Sequence, residues 1–275
     1  MSGETCVRIW VFGILAALLP AVVAAGDSRL QRLDTTDAGR AWEAVGRLDV
    51  NGEGFCTGSL IAPDLVLTAA HCLFDGRTGQ RIAPETIEFL AGWRNGRASA
   101  YRSVRRAVIH PDYVFDGEVS TGRVRKDIAL LQLQRPIRNT TVIPFETDRR
   151  PRKGSRIGVV SYAHDRSEAP SLQEVCTVTA QQKGVLVMSC DVDFGSSGAP
   201  VFSFDGQVPR IVSVVSAKAE VNGQRVSLGA ALGEGLDLLQ AQLTGTHIGS
   251  RMPPGVGRVQ VGDGRRTSGA KFIRQ

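Results

Sequence analysis

The middle of the chain is a succession of short apolar runs separated by turn signals rich in Gly and Pro. The candidate strands are 59–61, 65–68, 87–92, 106–109, 128–133, 156–160, 175–179, 185–188, 199–204 and 211–215. Many short strands between turn-forming residues are typical of an antiparallel barrel or sandwich. The pattern therefore predicts an all-β domain.

One helix is predicted near the end of this domain. Leucines recur at roughly helical spacing between residues 232 and 243, although Gly233 and Gly235 weaken the first turn. From 244 to 275 the chain is rich in Gly, Pro and Arg, and we expect this tail to be poorly ordered.

The N-terminus is typical of an export signal. Arg8 precedes an apolar run from 9 to 25, which ends in small residues suited to cleavage before Gly26. The alternative is an uncleaved anchor, because the run is close to the lower limit of about 17–25 residues for a spanning helix. We therefore expect a signal peptide at 1–25 and no stable membrane span after its removal.

The segment from 26 to 44 is polar and is interpreted as a loose leader or short pro-segment. It precedes the predicted domain at 45–243. With 275 residues, 42% of them hydrophobic and 22% charged, the chain is long and apolar enough to form one sizeable core.

The net charge of +6 is concentrated in the tail, where six Lys and Arg face Asp263 alone. The tail is either a solvated basic surface or a segment that contacts anionic polymers or membranes. Phe272 is its only aromatic residue, so nucleic-acid binding is not expected. No metal cluster, phosphate loop or dinucleotide fingerprint is visible, and we expect neither metal nor cofactor.

Cysteines add a prediction of two disulfides. Cys6 lies within the signal, which leaves Cys56, Cys72, Cys176 and Cys190 in the exported chain. Three pairings are possible, and the simplest joins Cys56 to Cys72 and Cys176 to Cys190 across short loops. Zinc is the weaker alternative, because no pair has close CxxC spacing.

His71 is a candidate general base. It ends an apolar strand, follows small residues and directly precedes Cys72. A lone histidine is more often structural, but a disulfide beside it would hold the imidazole in place. An ordinary pKa of about 6.5 suits proton transfer near neutral pH.

Ser197 is a candidate nucleophile, in a segment that runs Gly195, Ser196, Ser197, Gly198. The alternative is a simple tight turn. If the turn directs the N–H groups of Gly195 and Ser197 to one point, they would form an oxyanion hole.

Asp127 completes a candidate triad. It directly precedes the apolar residues 128–131, at the edge of the expected core. Such an acid is usually a cap or a surface residue, yet a triad needs a carboxylate to orient its imidazole.

Together these residues resemble trypsin-like serine peptidases. The resemblance rests on the segments 56–61, 67–72, 127–131 and 195–200. The order His71, Asp127, Ser197 is also that family's order. The resemblance implies two six-stranded antiparallel β-barrels with the triad between them, and peptide hydrolysis through an acyl-enzyme on Ser197. It also implies the disulfide Cys56–Cys72 beside the histidine.

Two departures from animal members of the family indicate a bacterial branch. Ser196 occupies the position of an acid that pairs with a new N-terminus in animal members, and Ala199 replaces a usual glycine. The sequence looks more like the branch that includes glutamyl endopeptidases, where other contacts build the oxyanion hole.

Substrate preference rests on three residues. Asp191 lies six residues before Ser197, where trypsin-like members place an acid at the base of the primary pocket. This position implies cleavage after Arg or Lys, although the acid can instead be structural. Ser216 resembles the pocket serine that also contacts the triad acid. Lys218 either favours acidic substrates or faces water.

The sequence therefore predicts a secreted or periplasmic serine endopeptidase, monomeric and acting on protein or peptide substrates. One alternative is a catalytically silent homologue that serves as a binding module. Another is a basic surface-binding or envelope-binding protein whose tail matters more than its cleft.

Overall fold

The computed structural model describes residues 30–116, 119–149, 151–206, 208–221 and 223–245. The predicted signal peptide and nearly all of the predicted basic tail lie outside the described residues. Within these ranges, no helix combines the length and the apolar character needed to cross a bilayer.

Strands dominate the described residues. In chain order, the strands and α-helices are β1 (Gln31–Arg32), α1 (Thr36–Gly39), β2 (Val45–Val50), β3 (Gly54–Ala62), β4 (Leu65–Thr68), β5 (Ile87–Ala91), β6 (Ala100–Ile109), α2 (Thr121–Lys126), β7 (Ala129–Leu133), β8 (Arg156–Ser161), β9 (Ser171–Gln182), β10 (Val185–Met188), β11 (Pro200–Ser203), β12 (Arg210–Val221), β13 (Gln224–Ala231) and α3 (Gly233–Thr244). Short 3-10 helices cover Arg40–Trp42, Ala70–Leu73, Pro84–Thr86 and His164–Arg166.

The first barrel closes in the order β2-β3-β4-β7-β6-β5, with every pairing antiparallel. Inward side chains such as Leu48, Leu60, Phe89 and Leu131 are almost completely buried. Closure leaves no unpaired sheet edge, and apolar residues on the inner face fill the interior.

The second barrel follows the order β9-β10-β13-β12-β11-β8 and closes where β8 pairs with β9. Ile157, Val178, Leu186 and Val201 fill its interior. The predicted pair of six-stranded antiparallel barrels is confirmed.

The predicted C-terminal helix is also confirmed, as α3. It follows the last strand of the second barrel but packs on β6 and β7 of the first. Leu236 and Leu239 are buried there. The Arg106 guanidinium on β6 donates to the carbonyls of Gln242 and Leu243, which helix geometry leaves without partners. Helix α3 therefore ties the two barrels together.

Residues 30–44 correct one expectation, because they are not a loose leader. Strand β1 pairs with β9, while Leu33 and Trp42 are buried in the core. The Trp42 ring packs edge-on against Phe202, with ring centroids 4.9 Å apart. These apolar side chains hold an otherwise polar segment on the fold.

Candidate active site

Asp127 is a buried carboxylate at the junction of α2 and β7. It is 1% exposed and accepts hydrogen bonds from the backbone N–H of His71 at 2.8 Å and from the Ser216 hydroxyl. Its second oxygen also lies 2.7 Å from Nδ1 of the His71 ring. A buried carboxylate is tolerated when its oxygens are hydrogen-bonded, and here the partners come from both barrels.

His71 lies on the 3-10 helix that directly follows β4. Ala69 and Ala70 before it are fully buried, and the disulfide Cys56–Cys72 ties the next residue to β3. The carboxylate beside Nδ1 assigns the proton to that nitrogen, which leaves Nε2 able to accept one. The ring is 19% exposed and thus accessible from the cleft.

The loop before Ser197 holds the Gly195 N–H away from protein acceptors. Gly195 has φ of +94°, a left-handed conformation suited to glycine. The preceding carbonyl, that of Phe194, accepts from the His164 N–H at 2.8 Å. Because the N–H and C=O of a trans peptide point in opposite directions, the Gly195 N–H points away from His164.

The Ser197 N–H is oriented in the same manner. The Ser196 carbonyl accepts from the Ala199 N–H at 3.0 Å, so the Ser197 N–H points to the other side of that peptide. Within the fully described segment 193–199, the N–H groups of Gly195 and Ser197 donate to no protein acceptor. They are the two donors that the sequence suggested for an oxyanion hole.

Thr57 joins this loop to the first barrel, a role that the sequence did not reveal. Its buried hydroxyl donates to the Gly195 carbonyl at 2.9 Å and accepts from the Tyr162 N–H at 3.1 Å. Its own N–H donates to the Ser197 carbonyl at 2.8 Å. Thr57 falls in a family-like segment, but no local signal shows contacts with residues 138 positions away.

Ser196 fills the place of the acid found in animal members of the family. It is fully buried, and its hydroxyl lies within hydrogen-bond distance of Ser161 Oγ, at 3.2 Å, and of the Tyr162 carbonyl oxygen, at 3.3 Å. Neutral hydrogen bonds to β8 and to the residue after it therefore hold the loop on this side.

His71 and Ser197 together line two neighbouring cavities, of about 440 and about 310 Å³. The larger is bounded by the Cys56–Cys72 disulfide and Phe55, the smaller by the segments 192–194 and 215–218. In the described residues no hydrogen bond joins the Ser197 hydroxyl to His71, which is common in unliganded sites. The arrangement leaves room for a chain on both sides of Ser197.

Asp191 lies outside both of these cavities. It is exposed and lines a separate cavity of about 430 Å³ together with Arg166 and Arg225. Its backbone N–H donates to Gln173 Oε1 at 2.8 Å. The geometry therefore gives no support to Asp191 as the acid at the base of a primary pocket, whereas Ser216 lines the smaller cavity.

Both expected cysteine pairs form disulfides, the second joining Cys176 on β9 to Cys190. In the part of the chain that the structure describes, Cys56, His71 and Cys72 form a cluster of metal-ligating residue types. Since both sulfurs are in a disulfide, neither can supply the thiolate that a metal site would need.

Two closed antiparallel barrels, with a serine, a histidine and a buried aspartate gathered where they meet, define the chymotrypsin-type class of fold. The chain belongs to the trypsin-like peptidase domain family, which it matches over residues 56–209.

The curated relatives that the chain resembles are also peptidases. The chain is 25% identical over 171 residues to a glutamyl endopeptidase of Bacillus licheniformis, covering 62% of this chain and 52% of that protein. It is 26% identical over 218 residues to serine protease 23 of Rattus norvegicus, covering 66% and 57%. The chain thus spans little more than half the length of these curated relatives.

Solved structures share the fold at low identity. A Glu endopeptidase in complex with MPD superposes with a TM-score of 0.64 at 19% identity, covering 80% of this chain and 98% of that one. The thermostable serine protease AL20 from an extremophilic microorganism gives 0.59 at 19% identity, covering 74% and 98%. These structures show the fold, whereas the curated relative from Bacillus licheniformis agrees with the branch that Ser196 indicated.

Proposed function

We propose that the protein is an exported serine endopeptidase that cleaves peptide bonds through an acyl-enzyme on Ser197. The observation that carries this proposal is the buried Asp127–His71 pair, which opens on the same cavities as Ser197. The N–H groups of Gly195 and Ser197, which donate to no protein acceptor, belong to residues that line the larger of these cavities together with His71.

In this proposal Ser197 Oγ attacks the carbonyl carbon of the scissile bond while His71 Nε2 takes the hydroxyl proton. The negative charge that develops on the carbonyl oxygen is stabilised by the N–H groups of Gly195 and Ser197. His71 then returns its proton to the leaving amine as the C–N bond breaks. Water, deprotonated by His71, then attacks the ester carbonyl carbon. The bond from that carbon to Ser197 Oγ breaks, Ser197 Oγ takes the proton from His71, and the acid is released. Asp127 orients the ring and stabilises its protonated form.

A free strand edge would hold the substrate. Strand β12 pairs with β11 only as far as Val214, whereas its pairing with β13 continues to Val221. Among the described residues, no strand pairs with the other edge from Ser216 onward. An extended peptide can add to such an edge, which would bring its scissile bond beside Ser197.

The disulfides support an oxidising compartment, so we propose a secreted or periplasmic location. Cys176–Cys190 restrains the segment that leads into the Ser197 loop, and Cys56–Cys72 restrains His71. The signal peptide at 1–25 remains a prediction, as does the monomeric state.

The test uses a fluorophosphonate probe and a mixed peptide library on the exported chain and on Ser197→Ala. We expect labelling and cleavage by the parent chain and neither by the variant, because the probe reacts with an activated serine. Ser203→Ala, on β11, is the matched control and should keep both activities. Labelling that persists in Ser197→Ala would refute the assignment of the nucleophile. A properly folded chain that neither labels nor cleaves would instead favour the silent homologue.

A further inference from the structure

The cavity of about 310 Å³ beside Ser197 has apolar walls. Val192 and Val215 are almost fully buried and line it together with Ala217. Its volume is at the lower end of the range for ligand sites, which suits a single side chain. It lies between the segment before Ser197 and the part of β12 around Ser216, where the resemblance placed the primary pocket.

Two opposite charges meet at the rim of this cavity. Lys218 Nζ lies 2.9 Å from Asp193 Oδ1 and 4.3 Å from the centre of the Phe194 ring. The hydrogen bond from Lys218 holds the pKa of Asp193 below its ordinary value, which favours the carboxylate form of Asp193. Since each charge is neutralised by the other, the rim presents no net charge to an entering side chain.

We propose that this cavity receives a neutral apolar side chain from the residue before the scissile bond. The Asp193–Lys218 pair makes the site indifferent to the sign of a charge, and the apolar walls disfavour either sign. The inference rests on the proposed function and adds the substrate class. It predicts that this chain does not prefer Arg or Lys before the scissile bond, since Asp191 lies outside the cavity.

The experiment breaks the ion pair from each side in turn. The assay measures kcat/KM on peptides that differ only in the residue before the scissile bond (Leu, Phe, Glu or Lys). The enzymes compared are the parent chain, Lys218→Met, Asp193→Asn and the double variant. Both substitutions keep side-chain size, and the amide in Asp193→Asn retains an oxygen that can accept from the Phe194 N–H. Lys153→Met, at an exposed turn, is the control for losing a positive charge elsewhere.

The parent chain should favour Leu or Phe over Glu and Lys by at least about tenfold in kcat/KM, because the walls offer a charge no partner. Lys218→Met should raise the Lys-to-Glu ratio by about 3- to 10-fold, and Asp193→Asn should lower it by a similar factor. These factors are modest because both side chains are more than half exposed. The double variant should return to the parent ratio, and Lys153→Met should not change it.

A parent chain that prefers Glu would overturn the inference and show that Lys218 acts as an unneutralised cation. A preference for Lys or Arg would overturn it in favour of Asp191. A Lys-to-Glu ratio of kcat/KM that moves in the same direction in both single variants would also overturn it. Each of these results requires a chain that cleaves peptides and is labelled at serine. Failure of the proposed function would instead give a chain that shows neither cleavage nor labelling, so the two failures can be told apart.

Discussion

The Thr57 hydroxyl offers a sharp test of how the candidate oxyanion hole is held. Thr57→Val removes the hydroxyl but keeps the shape of the side chain. The Gly195 carbonyl then loses its donor and the Tyr162 N–H loses its acceptor. The bond from the Thr57 N–H to the Ser197 carbonyl remains. The variant therefore loosens one side of the loop without creating a cavity.

The expected size of the effect follows from burial. Thr57 is fully buried, so water cannot readily replace the lost partners, and the free energy of unfolding should fall by about 2–4 kcal/mol. Gly195 has no side chain to restrict rotation of its backbone. Loss of the Thr57 hydroxyl therefore lets Gly195 leave the conformation that directs its N–H to the oxyanion hole. We expect kcat to fall by about 10- to 100-fold. This is less than the roughly 10²–10³-fold cost of deleting a donor, because the His164 N–H still holds the Phe194 carbonyl.

The assay measures kcat and KM on one peptide, together with unfolding by urea. Thr57→Ser keeps the hydroxyl and should restore kcat. Ser213→Ala is the matched control, because it loses a buried hydroxyl bond to the Ala230 carbonyl at 2.8 Å inside the second barrel. It should lose stability but retain kcat. Equal losses of kcat in Thr57→Val and Ser213→Ala, or a rise in KM alone, would refute the positioning role.

Two further predictions concern the same loop. Gly198→Ala should lower the free energy of unfolding by about 3 kcal/mol or more. The reason is that Gly198 has φ of +77° and a Cβ there would meet Thr68 Oγ1 and the Thr57 carbonyl oxygen. In urea unfolding, the control Gly122→Ala should show no such loss, because the space around Gly122 in α2 is open. A short extension added before the predicted mature N-terminus should change kcat/KM by no more than about twofold, because neutral Ser196 offers no carboxylate to a terminal amine; a loss of about tenfold or more, with intact folding, would contradict this expectation.

Periodicity and turn signals predicted most of the strands because inward positions in a closed barrel must be apolar. Strand β13 was missed. Its sequence, from Gln224 to Ala231, contains small and polar residues, and Gly229 is there because a Cβ would meet Ser213 Oγ and Met188. The strand is specified by its neighbours rather than by its own hydrophobicity, so no local pattern reveals it.

The residues of the candidate triad could be predicted because each lies in a short segment with its own signal. The contacts that position them could not. Thr57 and Gly195 are 138 residues apart, and the Asp193–Lys218 pair joins a loop to strand β12 across 25 residues. Such pairs arise only when two barrels, or a loop and a strand of one barrel, meet. The same limit affected Asp191, whose spacing from Ser197 suggested a pocket acid although its side chain lies in another cavity.

The neutral Ser196 and the hydroxyl of Thr57 are best understood together. A buried acid at position 196 would need a cationic partner, because an unpaired buried charge is strongly destabilising. A serine there needs only neutral partners, and Ser161 and Tyr162 supply them. Further restraints on the loop come from the His164 N–H, which donates to the Phe194 carbonyl, and from Thr57 across the interface between the barrels. All of these partners belong to the folded barrels, so the N–H groups of the loop are oriented once the two barrels meet. In the proposed enzyme, the fold itself would therefore perform the task that an ion pair with a new N-terminus performs in animal members of the family.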